Sequence, residues 1–359
     1  MEDFRKEFPV AENYTYLNTA SCGLLSKSLV AWRHQHDLNL MEGGSLFRDK
    51  HKAHIREIRS RLANFFSTSE DTIAMVPNFS FGMNTILSGL PKSKKILLLK
   101  GDYPSISWPV EFRDFEVCYA NMDENLEDNI EQAMAEHHPD IFAFSMVQYI
   151  SGIRMDTEFL HRLKAYHPGL LLIADATQYF GTVDFNFSAS PIDVMGASAY
   201  KWLLAGYGNG LFLIQPEAQA QILPKTIGFN SADLTFGNKE EIGLIGHMEP
   251  GHQDTLNYGS LGESIAFLQR IGMRDIEAHL KRISEEAKKE FEARGLLEKA
   301  VAVREEHSTI FNLKGNKELF DKLIANNIIC SLRGNGIRVS FHLYNSLEDL
   351  KRLLEVIDN

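Results

Sequence analysis

Lys201 stands in the run Ser198–Gly210, "SAYKWLLAGYGNG", between two aromatic residues and just ahead of three glycines. A lysine on an apolar segment usually snorkels, its ammonium reaching water past a hydrocarbon stem. The alternative is a desolvated amine kept for covalent chemistry, because burial lowers a lysine's pKa and frees the nucleophile. Two other groups bear on that choice. "LLLIADATQ" closes an apolar run on Asp175, with Gln178 three residues on; taken alone, Asp175 reads as a metal ligand or as a helix cap. "MVPNFSFGMNTIL" sets Asn78, Phe79 and Ser80 after another apolar run and at the start of a helical pattern. Backbone N–H groups at a helix start, with the Ser80 hydroxyl, suit a phosphate, although Asn and Ser are also ordinary N-caps.

Taken together, the three features match one requirement. An aldehyde cofactor with a phosphate handle and a pyridine ring needs a lysine for its Schiff base, a carboxylate at the ring nitrogen and a helix-start cup for the phosphate. Phosphate cup, strand-end acid and lysine also occur here in the chain order of fold-type I pyridoxal-phosphate enzymes.

The elements that must position these groups are legible as short apolar runs: "TIAMV", "KILLL", "EVCYA", "DIFAFSMV", "LLLIAD", "VMGAS" and "GLFLI". Amphipathic stretches such as "NLEDNIEQAMAEHH" and "TEFLHRLKAYH" separate several of them. Apolar strands interleaved with helices predict a mostly parallel sheet covered on both faces, over residues 76–215. In such sheets ligands bind beyond the carboxyl ends of the strands. Residues 26–66 carry helical periodicity through Leu29, Trp32, His36 and Leu40, then Ile55, Ile58 and Leu62. Residues 216–258 are polar and rich in Gly and Asn, which predicts loops near a site. One long helix is then expected from "YGSLGESIAFLQRIGM" through "RDIEAHLKRISEEAKKEFEARG". The tail, with "HSTIFNL", "KELFDKLIANN", "IRVSFHLY" and "LEDLKRLLEVI", reads as a small α+β domain.

Composition bounds the function classes. The chain has 359 residues, 44% hydrophobic and 24% charged, with a formal net charge of -11. A dispersed acidic excess argues against a nucleic-acid partner, which needs a basic face. No apolar run approaches the ~20 residues of a membrane span, and "MEDFRKEFPV" has no apolar core of signal-peptide length. Cys22, Cys118 and Cys330 are far apart and form no CxxC pair, so no metal knuckle or redox pair is expected and a reducing, cytoplasmic setting is the expectation. A nucleotide-binding reading of "GYGNG" fails because those glycines precede a strand, and no G-x-x-x-x-G-K-[ST] run occurs.

The sequence resembles the class V aminotransferase superfamily, whose members include cysteine desulfurases, kynureninases and isopenicillin N epimerase. The resemblance runs from "YLNTASCGLLS" through "DATQ" and "SAYK" to "IRVSFHLYN". It implies a fold-type I α/β architecture: residues 1–25 packing with the small domain, 26–258 as the large cofactor-binding domain, and 259–359 as linking helix and small domain. It implies pyridoxal 5'-phosphate as cofactor, an amino-acid substrate, and a homodimer sharing its active sites. By the same resemblance Lys201 forms the Schiff base and shuttles the α-proton. Asp175 pairs with the ring nitrogen and Gln178 bonds the ring hydroxyl. Phe79, Ser80, Ser198 and Tyr200 hold the phosphate, and Tyr103 in "GDYPSISWP" stacks on the ring. Thr255 in "HQDTLNYGS" reaches the partner subunit's phosphate, Asp254 standing there in place of the usual glycine. Arg338 grips the substrate α-carboxylate, although taken alone it is an ordinary strand-end arginine. His247 and His342 are left out of the catalytic set, since a histidine chosen this way is more often structural.

Which reaction follows is set by the pocket, and an aminotransferase is the reading, with a lyase or epimerase on the same scaffold as the alternative. Desulfuration through an enzyme persulfide needs a loop cysteine. Cys330 reads as part of an apolar strand, and Cys22 and Cys118 fall at unrelated positions. Tyr149, where relatives often have Asn near the ring hydroxyl, is a departure pointing toward kynureninases.

Overall fold

Seven of the apolar runs align into one sheet in the computed structural model, which describes residues 2–231 and 242–359. The strands, in chain order, are β1 (Thr15–Tyr16), β2 (Ile73–Val76), β3 (Lys95–Leu99), β4 (Glu116–Ala120), β5 (Ile141–Ser145), β6 (Leu171–Asp175), β7 (Val194–Ser198), β8 (Gly210–Ile214), β9 (Ile310–Lys314), β10 (Ile328–Ile329), β11 (Ser331–Arg333) and β12 (Gly336–Ser340). The large sheet has the order β2-β8-β7-β6-β5-β3-β4. β4, β3, β5, β6 and β7 are parallel, and β8 alone runs against both of its neighbours.

Burial on both faces explains why these strands read as continuous apolar runs. Alternate residues serve opposite faces: Leu97, Leu99, Phe142, Phe144 and Leu172 point into one core, and Ile96, Leu98, Ile141, Ala143 and Ile173 into the other. β4 sits at the edge, and its exposed Glu116 and Tyr119 follow from that position.

The expected single helix after the core is two. Thr255–Ile271 ends at Gly272, whose φ of 96° is a left-handed conformation that glycine takes freely, and Met273–Ala293 starts afresh. The first helix packs on the large domain: a Cβ at Gly259 would lie 2.2 Å from the Trp32 ring, so the close approach requires glycine there. The segment expected to be loops carries short helices at Pro216–Gln219 and Leu244–Met248. Residues 232–241 of that expectation lie outside the described residues.

β9, β11 and β12 form an antiparallel sheet flanked by the helices Lys317–Ala325 and Leu347–Asp358. The N-terminal segment joins it: β1 pairs with β10, Asn18 bridges to Ser340, and Arg5 binds Asp349 through two guanidinium nitrogens. No helix among the described residues is long and apolar enough to cross a membrane.

Candidate active site

Three chain segments end at one place, the carboxyl edge of the parallel strands. β6 delivers Asp175, β7 delivers Ser198, and the helix Phe79–Ser88 begins there under an Asn78 cap. Lys201 follows β7 in a turn that rejoins the sheet through Ala199 N–H to Asn209 O at 3.1 Å. The N-terminal segment closes on that turn. Gly23 N–H donates to Tyr200 O at 3.0 Å, and a Cβ at Gly23 would lie 1.9 Å from the Lys201 carbonyl oxygen, so no larger residue fits. Between them lies a cavity of about 310 Å³ lined by Phe79, Ser80, Tyr103, Ser198, Tyr200 and Lys201.

Lys201 is 5% exposed, which rules out the snorkelling reading. Burial lowers its ammonium pKa, the nearby Asp175 carboxylate opposes that shift, and Arg338 and Arg333 add to it. Asp175 is likewise buried. Desolvation raises its pKa, while Thr177, whose N–H reaches Oδ1 at 2.7 Å, and Lys201 pull it down. Lys201 Nζ lies 5.5 Å from the ring centres of both Tyr103 and Tyr200. Tyr200 stacks on Tyr207 with centroids 4.6 Å apart, and Tyr103 meets Tyr149 edge to face at 5.1 Å.

At the helix start, the cap reading of the Asn78–Ser80 motif holds, and the motif's polar groups line the cavity. Asn78 Oδ1 caps the helix by accepting from Phe81 N at 2.9 Å. Phe79 N–H donates to Ser198 Oγ at 2.9 Å, and Ser80 Oγ donates to Ser105 Oγ at 2.8 Å. These hydroxyls and N–H groups at one wall of the cavity form the donor set a phosphate needs.

Arg338 rises from β12 on the small-domain side and is 1% exposed. Its Nη1 donates to Tyr149 O at 2.6 Å, while Nε and Nη2 are buried with no hydrogen-bond partner. Burial lowers its pKa to about 10. A buried guanidinium with two open donors is matched by a carboxylate.

The remaining expected residues sit differently. Gln178 is committed on both sides, its Nε2 donating to Ala20 O at 3.0 Å and its Oε1 accepting from Trp202 Nε1 at 2.6 Å. It lines a neighbouring cleft with Arg154 and Tyr179 instead of the 310 Å³ cavity. Thr255 is away from this chain's cavity, in a hollow with Trp32, Phe47, His51 and His54, where its Oγ1 pairs with His36 Nε2 at 2.9 Å. Asp254 N-caps the helix that Thr255 starts, accepting from Asn257 N at 2.9 Å, which accounts for an acid where relatives have glycine. His342 is fully buried, donates from Nε2 to Trp202 O at 3.0 Å, and burial lowers its pKa to about 3. His247 pairs with Thr226 O at 2.7 Å outside the cavity.

Two residues of this neighbourhood escaped the sequence reading. Asp102 is a second buried carboxyl beside Asp175; its oxygens accept from Tyr103 N at 2.7 Å and Ser145 N at 2.8 Å, fixing the start of the Tyr103 helix. An acid directly after the "KILLL" strand in "KGDYP" was the available signal. Cys22 lies close enough to Tyr207 and Lys201 to perturb both. Its backbone O accepts from Tyr16 OH at 2.8 Å, a contact no local pattern encodes. Cys330 is buried between β10 and β11, and burial pushes its thiol up to about 12.

Comparison with known proteins identifies the family and the fold. The family model described as aminotransferase class-V matches residues 32–353. A probable cysteine desulfurase of Methanothermobacter thermautotrophicus is 22% identical over 79% of this chain and 74% of its own length. An uncharacterized aminotransferase, YcbU, of Bacillus subtilis is 22% identical over 99% of this chain and 97% of its own. Among solved structures, the apo cysteine desulfurase of Thermococcus onnurineus superposes with a TM-score of 0.86 at 20% identity, covering 99% of this chain and 97% of that one. The cystine C–S lyase C-DES, in complex with cysteine persulfide, superposes at 0.84 with 20% identity, covering 98% and 99%. At these identities the superpositions establish the shared fold.

Proposed function

The chain belongs to the class-V aminotransferase family, whose cofactor is pyridoxal 5'-phosphate, and on that premise we propose that it is an aminotransferase acting on an amino acid at the Lys201 cavity. The observation that carries this reading is the pairing of a buried amine with a buried arginine that keeps two donors open.

When bound, the cofactor supplies an aldehyde that holds amines and an electron sink for charge developing at the substrate α-carbon. Lys201 would hold the aldehyde, and Asp175 the ring nitrogen. Ser80, Ser198, Tyr200 and the Phe79 N–H would hold the phosphate, with Tyr103 against the ring face. Gln178 retains one Nε2 hydrogen for the ring hydroxyl, because Ala20 takes the other. Arg338 would bind the substrate carboxylate in a bidentate pair, fixing the α-carbon relative to Lys201. With its pKa lowered by burial, the freed Lys201 amine would take up the α-proton and give it up at the carbon that held the aldehyde, as amino-group transfer requires. Thr255, set apart from its own chain's cavity, supports a homodimer in which it serves the partner's site.

A C–S lyase is the second reading. It is favoured by the likeness to C-DES together with the buried, raised thiol of Cys330, which leaves no cysteine in that segment poised to attack sulfur.

Incubating the holoenzyme with a panel of amino acids, with and without a keto acid, decides between the two. Keto-acid-dependent turnover supports the aminotransferase, and keto-acid-independent release of ammonia, pyruvate or sulfide supports the lyase. Lys201→Ala is expected to lose turnover by on the order of 10³-fold or more and to lose the visible band of the lysine-bound cofactor. A variant that kept both would overturn the assignment of Lys201.

A further inference from the structure

The small-domain hairpin presents a second cation to the substrate side. In the β11–β12 register, Ser331 stands opposite Arg338 and Arg333 opposite Gly336. Residues two apart on a strand share a face, so Arg333 projects from the same face as Ser331 and Arg338, diagonally across from Arg338. Gly336 offers no side chain between them. The hairpin tip leans on the segment that anchors Arg338: a Cβ at Gly334 would lie 2.9 Å from Ile150, the residue after the Tyr149 whose carbonyl holds Arg338. Arg333 is exposed, and among the described residues no carboxylate pairs with it. Its charge nevertheless acts on both Lys201 and Arg338.

This cluster has more positive than negative charge. The cofactor would engage Lys201 and Asp175, and Arg338 has two open donors for one carboxylate, which leaves Arg333 without an anion. The phosphate cup is formed by Ser80, Ser198 and the Phe79 N–H, on the large domain, so the phosphate is not its partner.

We propose that Arg333 binds a second anionic group on the substrate side chain, so that the preferred substrate is an amino acid with an acidic side chain. This inference rests on the amino-acid-binding role proposed above. Arg333 acts as a specificity residue, and its effect should appear in discrimination between an acid and its amide, not in turnover alone.

The test is a titration of the holoenzyme's visible absorption with L-glutamate, L-glutamine, L-aspartate and L-asparagine, in the wild type, Arg333→Lys and Arg333→Gln. The wild type should bind each acid about fivefold to tenfold more tightly than its amide, as fits a solvent-accessible charge pair, and added salt should narrow the gap. Arg333→Lys should keep part of that ratio and Arg333→Gln should bring it to about one. A folding defect would weaken acid and amide alike and leave the ratio standing. Equal binding of acid and amide by the wild type, or a ratio that survives in Arg333→Gln, overturns the inference while amino-acid binding itself stands. If no amino acid alters the spectrum, the proposed function falls and this inference with it.

Discussion

Arginines that reach into the interior occur in two forms among the described residues, and they differ in how completely they are partnered. Arg5 and Arg59 are structural. Arg5 reaches both oxygens of Asp349 and the carbonyls of Tyr344 and Ala11. Arg59 donates to Ile73 O and, at 2.7 Å, to Glu249, whose other oxygen accepts from Met75 N. Arg338 is buried more deeply than either, yet it has one carbonyl partner and two empty donors. A fold does not leave a buried charge open without reason, since each unmet donor costs on the order of 1–3 kcal/mol. In this protein, completed charge networks hold the fold, and the incomplete one keeps two donors open to an incoming carboxylate.

The contrast breaks most clearly at the structural pair. Glu249→Ala should lower unfolding free energy by about 3–5 kcal/mol, because it strands Arg59 in the interior, and turnover of the folded fraction should be close to wild type. Urea titration followed by fluorescence measures it. A stability loss below about 1 kcal/mol would mean the Arg59–Glu249 network is no more consequential than a surface ion pair.

Arg338→Met should give the opposite pattern. Amino-acid affinity should fall on the order of 10²-fold, as for truncation of a buried charge pair, while the urea midpoint stays level or rises because a lone buried charge is removed. Loss of stability without loss of affinity would move Arg338 into the structural class.

The smallest expected effect sharpens the line between histidines that are structural and side chains that do chemistry. His342 and His307 have pKa values lowered by burial to about 3 and about 4, against an ordinary 6.5. The unfolded chain therefore binds more protons than the folded one below pH 6.5, so stability falls as pH drops through that window toward 4 and 3. The slope approaches about 1.4 kcal/mol per pH unit for each histidine. His342→Gln, which keeps a donor for Trp202 O, should flatten that slope when urea midpoints are compared at pH 7 and 5. An unchanged slope would remove His342 from the buried neutral class.

Much of the fold is legible in the sequence alone. The strands of the large sheet announce themselves because burial on both faces makes those inside the edge strand β4 nearly unbroken apolar runs, and the cap at Asn78 follows from its side chain. The break at Gly272 was missed because a glycine inside a helical pattern reads as tolerated until its φ is known. Asp102 was missed because an acid after a strand reads as solvated, whereas here two backbone N–H groups draw it inward. The surroundings of Cys22 and Gln178 were not legible for a shared reason. Their partners lie far along the chain, as with Gln178 and Ala20, and periodicity carries no information about such contacts.

By itself the sequence determined which segments become strands, the capped helix start at Asn78, the strand-end carboxylate and the lysine that follows, because strand burial and turn chemistry are local properties written in residue type and spacing. Only the tertiary structure decided that the Lys201 amine is enclosed, that Thr255 stands apart from its own cavity, and that Arg338 is left with two donors open. Those facts depend on which distant groups arrive beside each side chain and how many of its hydrogen bonds they complete. Arg338 and the Tyr149 carbonyl are 189 residues apart, and only folding sets them 2.6 Å from one another.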